Sequence, residues 1–351
     1  MHLEEGLIES YLVHYHIGVK FLKAWYCLER YRHHTIRVTN IKEVCKMKIG
    51  VLMGGISSER EVSIQSGRQI IEGLKATKHE VIEITIQNKQ EVIEKVRGLD
   101  FVFIALHGKF GEDGMVQSIL EVLGIPYSGC DTLCSALCMD KMQAKRILKA
   151  EGIRVPEGFL YHKKKSISHT IEEAKKKIGA LPWVVKPNNG GSSIGVTILK
   201  DERGLGEAIK KAEKYGEEIL IEAYIAGKEY TVPMLNGEAL PILEITPQSE
   251  FFDYSSKYDE DGAVECEAKL NEKIKQRVIE ISQTCYEIFR CKAYVRIDII
   301  IRNDEIYVME LNTLPGMTKN SLFPKSAELC QMNYTSLLEA MITCSLTSQE
   351  A

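Results

Sequence analysis

The segment AYVRIDIIIRNDEIYVMELN, residues 293–312, constrains the fold more than any other stretch of the chain. Two runs of β-branched and aromatic residues flank Asn303, Asp304 and Glu305, a polar break of the kind that closes a β-hairpin. Side chains on a strand alternate between faces, so Arg296 and Asp298 share one face of the first run, and Glu310 and Asn312 share one face of the second. A three-residue turn at 303–305 predicts that 298 lies opposite 310 and 296 opposite 312. Two carboxylates, a carboxamide and a guanidinium then converge at the end of an apolar hairpin. A charge buried without a partner costs several kcal/mol, so something must meet Glu310. The oxygen set suits Mg²⁺ held together with substrate phosphates. The alternative is a structural salt bridge of Arg296 with Asp298 or Glu310.

At 351 residues the chain exceeds the size at which one core stops growing, and two or three lobes are expected. From Lys48 onward, short apolar strands alternate with amphipathic helices, the pattern of a parallel sheet with covering helices. KIGVLMGG is the first strand, REVSIQSGRQIIEGLKAT a helix, VIEITI the second strand and FVFIALHG the third. MVQSILEVLGI is helical. DTLCSALCMDKMQAKRILKAEGI has helix spacing throughout and starts after Asp131, a suitable N-cap. WVVKPNNGGSSIGVTIL reads as strand, glycine-serine loop and strand, followed by the strands ILIEAYI and KEYTVPML. SAELCQMNYTSLLEAMITCSL is a closing helix pair. The fold class is therefore α/β, with an N-terminal parallel-sheet domain before two mixed lobes. Composition breaks at Met47. Residues 1–46 read as an added or mis-started, poorly ordered extension, with a partner-binding helix as the other reading.

A formal charge of -4, from 45 basic and 49 acidic residues, gives no field for a dedicated nucleic-acid binder. Ten cysteines without a C-x-x-C pair point to a reducing compartment and a cytoplasmic protein. Cys130, Cys134 and Cys138 are spaced along one helical face. Their spacing fits no zinc or iron–sulfur pattern, so they read as small apolar packing residues. No run reaches the roughly 18 apolar residues of a membrane helix, and the acidic start MHLEEG is unlike a secretory signal.

The loop from Lys186 to Gly195, KPNNGGSSIG, offers a lysine at a strand end and then backbone N–H groups free to close over phosphate oxygens. It lacks G-K-[ST] and opens no helix, so it is not a P-loop. A plain hairpin turn remains its other reading. Beside a magnesium-type site, a nucleoside triphosphate becomes the better one. Glu222, closing a strand, and Glu229 add acceptors suited to an adenine amino group and ribose hydroxyls.

Taken together, GGISSEREVS (54–63), ALHGKFGEDG (105–114), MDK (139–141), KPNNGGSSIGV (186–196), FFDYSSKY (251–258), RID (296–298) and ELNTLPGMTKNSL (310–322) resemble, in order and spacing, the D-alanine–D-alanine ligase family of ATP-grasp enzymes. The resemblance covers about residues 47–347. It implies an N-terminal substrate domain at 47–130 and two ATP-grasp lobes, 131–226 and 227–347, that clasp ATP between them under a lid loop at 248–262. It implies ATP as co-substrate, two Mg²⁺ (or Mn²⁺) ions on Asp298, Glu310 and Asn312, and D-alanine as the substrate. Lys141, Lys186, Ser192 and Ser193 would contact ATP phosphates. Glu222 and Glu229 would hold adenine and ribose with backbone groups at Ala223 and Ile225, Ala223 standing where many relatives carry a longer side chain. Glu59 would receive the first D-alanine's ammonium, with His107 lining the pocket. Arg296 and the N–H of Gly316 would form the oxyanion site. Lys257, Ser321 and the N–H of Leu322 would meet the second D-alanine's carboxylate. Ser192 and Tyr258 would link the glycine loop to the lid, and Tyr258 favours an amine acceptor over a hydroxy acid. A homodimer through the first domain is implied as well. Two rivals stand beside this reading: an ATP-grasp carboxylate–amine ligase with another acceptor, and a non-catalytic nucleotide-binding regulator. The second predicts a broken metal site, whereas all three ligands are present.

Overall fold

A computed structural model describes residues 45–191, 193–247 and 263–349. The extension up to residue 44, Ser192, Lys257, Tyr258 and the expected lid at 248–262 lie outside these residues.

The first layer is a parallel sheet of β1 (Lys48–Gly54), β2 (Glu80–Ile86) and β3 (Phe101–Ile104) in the order β2-β1-β3. β1 is central and reads as an unbroken apolar run because both its faces are covered. Its helices are α1 (Arg60–Leu74), α2 (Glu91–Lys95) and α3 (Met115–Leu123).

The expectation of continuous helix spacing after Asp131 is corrected. The segment is two helices, α4 (Thr132–Met139) and α5 (Lys141–Ala150), broken at Asp140, whose backbone is extended at φ -81 and ψ 95. The break is built by side chains. Asp131 caps α4 by accepting from the Cys134 N–H at 3.0 Å, and Asp140 caps α5 by accepting from the Gln143 N–H at 3.0 Å. Asn188 secures the junction: its Nδ2 donates to Asp140 at 2.8 Å while its Oδ1 accepts from the Met142 N–H at 2.9 Å.

The central sheet comprises β4 (Gly158–Leu160), β5 (Trp183–Pro187), β6 (Thr197–Leu199) and β7 (Ile219–Ala223), antiparallel in the order β4-β7-β5-β6. The helices α6 (Ile167–Ile178) and α7 (Leu205–Glu213) contribute Ala174, Leu205, Ile209 and Ala212 to its core.

The third sheet is antiparallel and holds β8 (Lys228–Leu235), β9 (Glu238–Ala239), β10 (Leu243–Pro247), β11 (Ala263–Glu267), β12 (Tyr294–Arg302) and β13 (Glu305–Asn312). Its main order is β11-β10-β8-β12-β13, with β9 paired to β8. Helix α8 (Glu272–Ile288) packs on it, as do Cys134, Cys138, Ala144 and Leu148 from α4 and α5. The closing helices α9 (Leu322–Leu329) and α10 (Tyr334–Gln349) return to the first sheet. There Phe323, Leu337, Leu338 and Met341 share one core with Ile49, Val51 and Phe101. Among the described residues no helix is long and apolar enough to cross a membrane.

The β12–β13 hairpin places Arg296 opposite Asn312 and Asp298 opposite Glu310, as the strand period requires, but by another route. The turn has two residues, not three: Arg302 pairs Glu305, and Asn303 (φ 50) and Asp304 (φ 61) both take the left-handed backbone of a type I′ turn. One residue is then missing from the turn. A bulge returns it, since Ile299 pairs Val308 while Asp298 pairs Glu310, leaving Met309 as the extra residue.

Candidate active site

A cleft of about 450 Å³ lies between the central and third sheets, lined among others by Lys141, Lys186, Glu222, Glu229, Asp298 and Glu310. Ser193, Ala223 and Ile225 line it too. Residues far apart in sequence meet here because β5 and β7 end on one wall while β8, β12 and β13 end on the other.

On the β12–β13 wall, Asp298 is nearly buried and its carboxylate is fully engaged. Arg296 donates to it twice, from Nε at 2.9 Å and Nη2 at 2.8 Å. Asn312 Nδ2 donates at 3.0 Å and the Thr231 hydroxyl at 2.6 Å. The salt bridge that competed with the metal reading thus exists, and it also holds the guanidinium in one orientation. Glu310 is met by Lys141, whose Nζ lies 3.1 Å from Oε2 and donates to the Gly190 carbonyl at 2.6 Å. Burial works against the Lys141 charge, but Glu310, with Glu112 and Glu222, outweighs it and the lysine is held above its ordinary value.

On the opposite wall, Glu222 is wholly buried between two lysines, Lys186 at 2.5 Å and Lys145 at 3.3 Å. These are ion pairs by distance, although neither carboxylate oxygen takes a hydrogen bond of regular angle from them. Burial raises the Glu222 pKa and the two lysines lower it further, so the carboxylate stays below its ordinary value. Lys145 was not singled out in the sequence. It is buried on α5, one turn from Lys141, and its Nζ also donates to the Met309 carbonyl at 3.0 Å, the group that the bulge exposes. Burial, against the opposing pull of Glu222, pushes it down to about 8. The i, i+4 spacing of Lys141 and Lys145, on the helix whose start packs against the glycine loop, was the available signal. The Ala223 N–H donates to the Glu157 carbonyl at 2.8 Å, so it is not a group that Ala223 offers a nucleotide.

Glu59, His107, Gly316, Ser321 and Leu322 sit on loops and helix starts around the first sheet. Glu59 precedes α1, and its own N–H donates to Ser57 Oγ at 3.1 Å. It is packed between two glycines: a Cβ at Gly108 would lie 2.6 Å from its Oε2, and one at Gly191 would lie 3.0 Å away. Glu59 thereby touches the glycine loop of the central lobe. His107 is buried, with Nε2 3.2 Å from Ser66 Oγ and Nδ1 3.7 Å from Glu112. Ser321 precedes α9, and its Oγ accepts from the Thr318 N–H at 3.1 Å. A side chain at Gly316 would come within 3.1 Å of that oxygen. Leu322 opens α9, where unsatisfied N–H groups favour an anion.

The donor set on β12 and β13 suits a hard divalent cation: two carboxylates and an amide side chain in adjoining register, facing two lysines that suit phosphate.

The chain is similar to known proteins over most of its length. The family model described as D-ala D-ala ligase N-terminus matches residues 48–95 and 87–130, and that described as D-ala D-ala ligase C-terminus matches residues 147–343. A D-alanine–D-alanine ligase of Clostridium botulinum (strain Hall) is 50% identical over 300 residues, covering 86% of this chain and 99% of the relative. The crystal structure of a D-alanine–D-alanine ligase from Bacillus anthracis is 44% identical with a TM-score of 0.79, covering 87% of this chain and 99% of that one. A D-alanine–D-alanine ligase from Bacillus anthracis complexed with ATP is 40% identical with a TM-score of 0.77, covering 87% of this chain and 99% of that one.

Proposed function

Since the chain belongs to the D-alanine–D-alanine ligase family, we propose that its cleft joins two D-alanine molecules at the expense of ATP, giving D-alanyl-D-alanine, ADP and phosphate for peptidoglycan precursors. The carboxylate of the first D-alanine attacks the γ-phosphorus and ADP leaves, forming an acyl phosphate. The amine of the second attacks the acyl carbon, and phosphate leaves from the tetrahedral intermediate. The observation that carries this reading is the pairing of Asp298 with Glu310, and of Arg296 with Asn312, on adjacent strands at one wall of a cleft also lined by Lys141 and Lys186.

In this mechanism Lys141 and Lys186 bind phosphate oxygens, with Ser193 and Ser192 of the glycine loop. Glu222 and Glu229 serve adenine and ribose beside Ala223 and Ile225. Lys145 is a positioning residue that ties Glu222 to the bulge carbonyl and so fixes the distance between the two walls. Arg296, held by Asp298, and the Gly316 N–H stabilise the tetrahedral oxyanion. Glu59 takes the ammonium of the first D-alanine and His107 supports that pocket. Lys257, Ser321 and the Leu322 N–H take the carboxylate of the second, and Tyr258 belongs to the closing lid. Asp298, Glu310 and Asn312 would hold two Mg²⁺ or Mn²⁺ ions, which neutralise phosphate charge when bound.

We further place the lobe limits at 47–130, 131–226 and 227–347, the lid at 248–262, the protein in the cytoplasm where ATP is supplied, and two copies in a homodimer. The test is ADP release with D-alanine as sole amino acid, with the product identified by mass, alongside D-serine and D-lactate. No ADP release with D-alanine alone would sink the proposal. Preferential use of another acceptor would favour the rival ligase.

A further inference from the structure

Four cysteine sulfurs converge behind the cleft, where the sequence offered three cysteines on one helical face. Cys134 Sγ lies 4.0 Å from Cys138 Sγ and 3.6 Å from Cys291 Sγ, and Cys291 comes from a segment far along the chain. Cys130, Cys134 and Cys291 hold their sulfurs within 4.8 Å of one another. All four residues are buried. The zinc–thiolate distance of about 2.3 Å sets ligand sulfurs of a tetrahedral site about 3.8 Å apart, and the two contacts of Cys134 straddle that spacing.

We propose that Cys130, Cys134 and Cys291, with Cys138 beside Cys134 at 4.0 Å as a further thiol, form a binding site for a soft, thiolate-seeking divalent cation of the zinc type. The Lys292 N–H points at Cys130 Sγ from 3.5 Å, which favours a thiolate, while as a thiol Cys130 donates to the Lys292 and Tyr294 carbonyls at 3.5 and 3.6 Å. Cys134 occupies the first turn of α4, at its positive end. Without a cation the thiols keep their protons: neighbouring thiols and burial hold Cys130, Cys138 and Cys291 well above the ordinary value. Each thiol that coordinates therefore releases one proton to solvent. The bound cation would tie α4 to the start of β12, the strand that carries Arg296 and Asp298.

The site is of a different chemical kind from the oxygen donors of the cleft, so the test separates them. The full chain, reduced and stripped with a chelator, is titrated with Cd²⁺ while the ultraviolet thiolate-to-cadmium absorption is followed, and then challenged with Zn²⁺. The expected result is one thiolate-bound Cd²⁺ per chain, with proton release and displacement by Zn²⁺. Cys291→Ser should weaken it by roughly tenfold or more, since even outer-shell losses reach that size, and Cys266→Ser, at an exposed thiol, should not. Zn²⁺ should raise the melting temperature of the wild type and not of Cys291→Ser. Absence of the absorption from the wild type would overturn the site whatever the variants do, as would equal Cd²⁺ affinity in Cys291→Ser. If Cys291→Ser does not fold, Cys130→Ser takes its place under the same criteria.

Discussion

The two halves of the proposed site, one assigned to ATP and one to D-alanine, are built by different means. The ATP side stands on strands: Lys186, Glu222, Asp298, Glu310 and Asn312 all lie on β5, β7, β12 or β13, and pairing of the strands fixes their separations. The D-alanine side stands on loops: Glu59, His107, Gly316 and Ser321 are placed by serine hydroxyls and by glycines that leave room. A strand-borne residue is located by everything paired to its sheet, whereas a loop-borne one depends on a few local contacts. Damage to the first should therefore fall on ATP and turnover, and damage to the second on the Michaelis constant for D-alanine.

The strand side should give the largest effect. Glu310→Gln removes charge where the cation and phosphates meet, and loss of such an electrostatic group costs about 10²- to 10³-fold in turnover. Its thermal melt should stay near that of the wild type, and near-normal turnover would refute the metal assignment. Next comes Lys145→Met, which strips one partner from a wholly buried carboxylate at a cost of about 3 kcal/mol, read as a lower denaturant midpoint together with a raised KM for ATP. Lys145→Arg, which keeps the charge, should recover part of both. Because Lys145 is depressed to about 8, it carries its charge below that pH and loses it above. KM for ATP should therefore rise as pH climbs through that value, and a flat profile in Lys145→Arg would tie the inflection to this lysine.

On the loop side, Gly108→Ala adds a Cβ 2.6 Å from Glu59 Oε2 at a backbone of φ +68. Backbone strain of this kind costs about 1 kcal/mol or more, and KM for D-alanine should rise roughly tenfold while KM for ATP holds. An equal rise in both constants would erase the distinction between the halves. Ser321→Ala should be milder. It removes one acceptor worth about 1 kcal/mol and should weaken the second D-alanine more than the first, as initial rates over a wide D-alanine range would resolve.

The same division explains what could be read from the sequence. Asp298, Glu310, Arg296 and Asn312 were legible because a period of two leaves no choice of face. Their register came out right although the turn did not, since the bulge at Met309 compensates a turn one residue shorter than expected. The break at Asp140 was missed because α4 and α5 continue one spacing, and only Asn188, reaching over from the glycine loop, makes the interruption favourable. Lys145 was missed because a lysine on an amphipathic helix ordinarily faces water. Its burial depends on Glu222 and Met309, which sequence distance hides. Cys291 escaped notice for the same reason. The loop residues Glu59, His107 and Ser321 had no period to reveal them, and resemblance to the ligase family was the sole guide to them.

The return of α9 and α10 to the first sheet bears on how the chain is made. Ile49, Val51 and Phe101 are translated well before Leu337, Leu338, Met341 and Ile342, which complete their core. Until those helices emerge, the nascent first sheet displays an apolar face that Ile70 and Leu74 of α1 cover only in part. Helix α10 acts as a clasp fastened late, and a chain cut before it would leave its first-made sheet sticky.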